Sequence, residues 1–493
     1  MLLAVIRKAS WNGKTWFIVA WSAVLVLIPM ITRNVIPNDM VENLYWGKEL
    51  QLGYGKHPPL FAWISYFFYR LCFSCPESLY ILTQLNLLLG FYFIFRISSL
   101  IFNQSERGGA EALERSRGSV LIFMASICSV FGNEKFNANT ILMSMVPAMH
   151  YFFLCLLKYK RVRDAVLVGV FAALAFLGKY FAFLYIGCMG LFLLWDERCR
   201  VMLIRPQIYV AALVFFGCIS WHLAWMVQNN FVSLKYALDK STNWPTNRWS
   251  AFNFLLMQFL FFSTSFVSVA QACRKKIRFL PRERYSMEEN FVLFSTIAPN
   301  VILFIVSLVT GMRIGSFWGT NMLMMVGIYL QILNKSINYE RLLAFVKRIS
   351  ILFTVILLCK LSVVRIFLRH HYPEFSLNFA SVARRIDSDW KQKFGGRKIE
   401  VLRADKACAA LHMYLKDSPS SYDVEKCEVF SINDFRPLGK SSVMALLCSK
   451  GDSKIAYARS LHKEKDILFE NTIPVIDDFL LYYAFLNMKD DCE

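Results

Sequence analysis

Apolar positions run along the chain in long blocks broken by short polar stretches. The blocks cover roughly 16–31, 59–75, 78–102, 119–132, 138–157, 165–195, 208–227, 252–273, 291–310, 317–333 and 349–368. They lack the period-2 alternation of half-buried strands, and most approach the ~20 residues a helix needs to cross a bilayer. Barrel strands are shorter, so an all-α membrane bundle is the predicted class. The block from Val166 to Trp195 is too long for one crossing, and its only charge is Lys179. It predicts two helices turning near Gly178-Lys179-Tyr180. The block after Pro58-Pro59 is short, which leaves about 11 to 13 crossings open.

Past Leu368 the pattern changes. The tail is polar, mixed in charge and too long for a loop. Strand-like runs at Ile399–Leu402 and Val443–Leu447 alternate with helical patterns at Ala407–Leu415 and Phe479–Leu486. A small soluble α/β domain over 370–493 follows, beside a membrane domain over 1–369.

Composition sharpens the class. The chain is 56% hydrophobic with 44 Phe and only 18% charged, against about 45–50% and 25% in soluble domains. A soluble globe and a disordered chain are both excluded. The formal charge is +20, from 55 Lys+Arg against 35 Asp+Glu. On a soluble chain this would suggest a nucleic-acid partner. Here the basic residues gather in loops: Lys158 to Arg163, Arg198 to Arg205, Arg274 to Arg284, Lys335 to Arg348 and, more weakly, Arg107 to Arg117. The positive-inside rule assigns such loops to the cytoplasm, and no nucleic acid is needed. Arg7, Lys8 and Lys14 precede an uncleaved first helix, so the N-terminus is expected inside. Residues 33–58, 133–138, 178–181, 228–251, 311–317 and the tail then lie outside. Four of the 13 cysteines fall in the tail (Cys408, Cys427, Cys448, Cys492). An outer compartment allows a disulfide there, but spacing cannot pair them, and no zinc-type spacing is present.

The outer stretches hold the candidate chemistry. Asp39 and Glu42 stand one helical turn apart, directly after a membrane exit. Met40, Val41, Leu44, Tyr45 and Trp46 around them suggest a helix in the interface. Two carboxylates beside apolar surface suit general-base work. Lys56 and His57, next to Pro58-Pro59, can neutralise a phosphate. Glu134 and Lys135 mark a second outer loop, and Trp225 to Trp249 a long aromatic one of the kind that forms lids.

The stretch Asp39, Glu42, Tyr45-Trp46, Leu52-Gly53-Tyr54, His57-Pro58-Pro59-Leu60 and Trp63 resembles the first outer loop of a bacterial glycosyltransferase family. These are relatives of the dolichyl-phosphate-mannose protein mannosyltransferases, and they include the lipid A aminoarabinose transferase and the lipopolysaccharide-core galacturonosyltransferases. Gly178-Lys179-Tyr180 is similar to the family's small-Lys-Tyr turn. Thr310 to Arg313 with Phe317-Trp318-Gly319 is similar to a late outer loop. One departure is that many members carry adjacent acids, whereas Met40-Val41 separate Asp39 from Glu42 here.

The resemblance implies a GT-C membrane bundle with a periplasmic C-terminal α/β domain in the bacterial inner membrane. It implies a polyprenyl-phosphate-sugar donor and an envelope acceptor: lipid A, a lipopolysaccharide core sugar or another glycan. Asp39 is the favoured base with Glu42 in support, and the roles of the two can be exchanged. Lys56, His57, Lys179 and Arg313 would bear the donor phosphate. Tyr45, Trp46, Tyr54, Glu134, Lys135, Tyr180 and Trp318 would contact substrate. No cofactor or metal is required, although two acids can hold a divalent cation. The alternatives are a flippase of a lipid-linked sugar and an inactive lipid-binding relative. Spans nearly free of acids speak against a flippase, whose ionisable groups belong near the midplane.

Overall fold

The computed structural model describes residues 13–103, 109–242, 247–273, 276–281, 284–368, 375, 378–404, 408, 410–417, 420–423, 442–449, 467–476 and 479–486. Cys427, Cys492, Arg107, Arg274 and Arg282 lie outside them. The chain forms two compact units. One holds Met1–Leu27, Lys56–Phe61 and Leu79–Leu357, the other Ile28–Gly55, Ala62–Ser78 and Leu358–Glu493. The polar tail therefore shares its unit with most of the segment 33–58.

In chain order the helices are α1 (Gly13–Thr32), α2 (Asn38–Glu49), α3 (Leu60–Leu71), α4 (Ser78–Phe102), α5 (Gly109–Met124), α6 (Leu142–Tyr159), α7 (Val162–Gly178), α8 (Ala182–Trp195), α9 (Pro206–Gln228), α10 (Val232–Thr242), α11 (Trp249–Ala272), α12 (Met287–Thr310), α13 (Val326–Leu333) and α14 (Tyr339–Phe367). Six of them, α4, α6, α9, α11, α12 and α14, are long and apolar enough to cross a membrane. Trp16–Thr32 and Ala182–Trp195 are shorter apolar helices. The expected pair within 166–195 is present as α7 and α8. Lys179 breaks the helix by adopting extended backbone, φ −163° and ψ 134°.

Three expected blocks are cut short; in 119–132, α5 ends at Met124 and a 3-10 turn follows at Ile127–Ser129. The block 59–75 contains only the 12-residue α3, about 18 Å long and too short to cross a ~30 Å hydrocarbon core alone. The block 317–333 splits into a 3-10 turn at Ser316–Gly319 and the 8-residue α13, every residue of which is buried. A helix apolar all round belongs in a protein interior as well as in lipid. Close packing holds α13 in place: a Cβ on Gly327 would stand 1.9 Å from the Ser119 carbonyl oxygen of α5. Small residues at such crossings let helix backbones touch where lipid gives no hydrophobic drive.

In the second unit, α15 (Phe379–Phe394) and α16 (Leu411–Tyr414) accompany a five-stranded sheet of order β2-β1-β3-β5-β4. The strands are β1 (Val401–Ala404), β2 (Ser420–Asp423), β3 (Ser442–Ser449), β4 (Ile467–Ile476) and β5 (Phe479–Leu486). Strand β1 runs parallel to β2 and β3, whereas β5 is antiparallel to β3 and β4. The helix expected at Phe479–Leu486 is therefore a strand. Its run of apolar residues has no 3.6 period, and β5 lies between two partners with Leu481 to Phe485 buried. Apolar runs of this length are ambiguous between helix and inner strand. Helix α15 buries Phe379, Val382, Ala383, Ile386 and Trp390 at helical spacing. Trp390 meets Phe485 edge-on with centroids 4.9 Å apart.

Candidate active site

The loop that carries Asp39 and Glu42 is built on α2. Pro37 precedes it, and the amides of Met40 and Val41 donate to the Pro37 carbonyl. Leu50 ends it in the left-handed region, φ 47°. Met40, Val41, Asn43, Leu44, Tyr45, Trp46 and Gly47 are buried, while Asp39 and Glu42 stay half-buried. The i, i+3 spacing keeps both carboxylates on one side of the helix. Asp39 also sits in the first turn of α2.

Helix α3 fixes α2. A Cβ on Gly47 would meet the Ala62 carbonyl oxygen at 2.3 Å and Tyr66 Cβ at 2.4 Å. Asn43 Nδ2 donates to Ser65 Oγ at 3.3 Å. The expected substrate-contacting aromatics are used in this packing. Trp46 stacks on Tyr54 at 5.1 Å, and Tyr54 Oη donates to the Trp46 carbonyl at 2.5 Å. Burial pushes the Tyr54 phenol up, so it remains a donor. Tyr45 meets His412 edge-on at 5.3 Å. The three aromatics set the shape of the loop that carries the acids. Gly47→Val should therefore destabilise the chain by about 1–3 kcal/mol through overpacking. Thermal unfolding of the detergent-solubilised protein would read this as a lowered Tm, and an unchanged Tm would refute the account.

The expected cations lie in the other unit. Lys56 and His57 are half-buried, and His57 meets Phe61 and Tyr236 edge-on at 5.7 and 6.5 Å. Tyr236 belongs to α10. Arg313 is exposed. It follows Gly311, which ends α12 with a positive φ of 70°.

Lys179 is held by groups from two other segments. Its ammonium donates to Asn139 Oδ1 and lies 5.1 Å from the Trp318 ring centroid. A cation over an indole face is stabilised by the ring quadrupole. Asn139 lies in the loop before α6, which is tied by its own side chains. Asn137 Oδ1 accepts from the amides of Asn139 and Thr140 at 2.9 and 3.1 Å. Thr140 Oγ1 donates to the Lys135 carbonyl at 3.1 Å. Asn86 Nδ2 holds the Thr140 carbonyl at 2.6 Å, and Asn321 Nδ2 holds the Asn139 carbonyl at 2.8 Å. Glu134 and Lys135 sit half-buried at the start of this loop. The structure thus joins Lys179 and Trp318. It gives Tyr180 a different task, with its hydroxyl 3.1 Å from His222 Nε2 and 2.5 Å from Ser233 Oγ. Burial pushes the Tyr180 phenol up to about 12, so it bridges α9 and α10 as a neutral group. Among the described residues, no three His, Cys, Asp or Glu side chains converge on a metal position.

Residues 56–225 match the family model of dolichyl-phosphate-mannose-protein mannosyltransferase. The match begins at the Lys56-His57-Pro58-Pro59 motif. Among solved structures, ArnT from Cupriavidus metallidurans bound to undecaprenyl phosphate superposes with a TM-score of 0.67. The superposition covers 97% of this chain and 98% of that one at 14% identity. The chain has the GT-C fold. The apo form of the same ArnT shares the GT-C architecture with a TM-score of 0.62 at 13% identity, over 96% and 98% of the two chains. No curated protein sequence matches. The chain is a multi-pass membrane protein with a small C-terminal sheet.

Sequence reasoning missed Asn139, His222, Ser233, Gln258 and Asn321. Gln258 and Asn321 are amides inside mainly apolar blocks, but Asn253, Gln271 and Gln331 share those blocks, so the sequence singles out neither. Nothing in the order of the residues pairs Asn321 with Asn139, which lies 182 positions earlier.

Proposed function

We propose that this chain is an inverting glycosyltransferase of the bacterial inner membrane. It moves a sugar from a polyprenyl-phosphate carrier to an envelope acceptor, which is lipid A, a lipopolysaccharide core sugar or another glycan. The observation that carries this reading is the fold match along nearly the whole chain to a protein whose structure holds undecaprenyl phosphate. The family match from Lys56 onward supports it.

In the reaction, an acceptor hydroxyl attacks the anomeric carbon opposite the phosphate. The new C–O bond forms as the bond from the anomeric carbon to the phosphate oxygen breaks. Asp39 takes the hydroxyl proton, with Glu42 on the same side of α2 in support. The carrier leaves as polyprenyl phosphate, which gains negative charge as the bond breaks. Lys56, His57, Lys179 and Arg313 offset that charge, most effectively where they are held in place beforehand. The long outer loop with α10 covers donor or acceptor. The test is purified chain in proteoliposomes with a labelled polyprenyl-phosphate-sugar and an envelope lipid acceptor. Labelled acceptor is expected. Movement of intact donor across the bilayer without product would favour a flippase instead.

The topology that goes with this reading has basic loops inside and the first outer loop and tail outside. Protease added to intact spheroplasts should cleave the tail, leaving a membrane fragment that ends near residue 370. Protection of the tail until the membrane is opened would reverse the orientation.

A further inference from the structure

Two buried amides near Lys179 have a nitrogen that is engaged and an oxygen that is not. Gln258 on α11 and Asn321 are 3% and 2% exposed. Gln258 Nε2 donates to the Ser316 carbonyl at 2.8 Å, and Asn321 Nδ2 donates to the Asn139 carbonyl at 2.8 Å. A backbone carbonyl only accepts, so each amide must turn its NH2 toward it and its oxygen away. Among the described residues, Gln258 Oε1 and Asn321 Oδ1 then have no donor. Gln258 is also pinned by Gly319, where an added Cβ would stand 2.5–2.7 Å from the amide group. A buried acceptor left unmade is unfavourable by about 1–3 kcal/mol, so a donor from outside the chain is expected there.

The surroundings indicate its chemistry. The segment from Ser316 to Asn321 carries both amide contacts and, between them, Trp318. The Trp318 ring lies beneath the Lys179 ammonium, and that ammonium bonds the same Asn139 whose carbonyl anchors Asn321. Two hydroxyl acceptors, an aromatic face and a cation form one connected cluster. We propose that Gln258 Oε1 and Asn321 Oδ1 read hydroxyl groups of the sugar carried by the donor lipid, while Lys179 bears its phosphate. This deepens the glycosyltransferase reading and rests on it.

The experiment measures binding to the full chain in nanodiscs. The probes are bare undecaprenyl phosphate and a panel of undecaprenyl-phosphate-linked glucose, galacturonic acid and 4-amino-arabinose. The wild type should bind one sugar-bearing lipid more tightly than the bare lipid. Asn321→Ala and Gln258→Met should each weaken that lipid about five- to tenfold more than they weaken bare undecaprenyl phosphate, the worth of one hydrogen bond. The bare lipid thereby reports that the variants are folded. Equal loss on both probes would make the amides structural braces, and no loss on either would leave them bonded to water; both results overturn the subsite. A wild type that binds the bare lipid but gains nothing from any sugar also overturns it, leaving the lipid-carrier reading intact. A wild type that binds no lipid removes both.

Discussion

Asp39→Asn should lower the rate of sugar transfer by roughly 100- to 10,000-fold, the usual span for a lost general base. Asparagine matches aspartate in shape and can still accept a hydrogen bond, but it cannot take a proton. Because Asp39 is half-buried at the start of α2 and the packing of that helix rests on Met40, Val41, Leu44, Tyr45 and Trp46, the variant should fold normally. Its Tm and its affinity for undecaprenyl phosphate should match the wild type, with the loss confined to kcat. Glu42 provides the internal control. It shares the side of the helix one turn away, so Glu42→Gln should cost less if it only supports Asp39. Full activity in Asp39→Asn together with loss in Glu42→Gln would exchange the two roles. Full activity in both would remove general-base catalysis from this loop.

How much of this was legible in the sequence depends on the scale of the pattern. The turn at Gly178-Lys179-Tyr180 was readable because an apolar block of that length cannot be one crossing, and α7 and α8 end where expected. Strand β5 was not, because an apolar run of eight has no period and its neighbours β3 and β4 decide its conformation. The acids at Asp39 and Glu42 stand out against apolar neighbours, so their candidacy needed only spacing. The aromatics beside them were assigned to substrate, yet Trp46 and Tyr54 turn onto each other. Composition cannot say which way a ring faces. The amides around Lys179 come from segments far apart in the chain and meet only through folding.

Lys179→Met should reduce kcat by roughly 100- to 1,000-fold, the loss seen when one preorganised donor to a developing negative charge is removed. Methionine keeps an unbranched side chain over Trp318 and leaves the Asn139 loop its other bonds, so the change removes charge more than packing. The argument for a large effect is preorganisation. Asn139 and Trp318 already hold the ammonium in place, so no reorganisation is needed as the leaving phosphate gains charge. Since that charge is greater on the product than on the donor, the variant should weaken undecaprenyl phosphate more than the sugar-bearing lipid. It should also lose less rate with a donor whose leaving group is a pyrophosphate, which stabilises its own charge better. Lys179→Arg tests geometry apart from charge. A planar guanidinium cannot reproduce a compact ammonium set between an amide and an indole, so it should restore lipid binding more fully than kcat. Equal weakening of donor and product in Lys179→Met, with kcat unchanged, would place Lys179 in uniform lipid binding and outside the transition state.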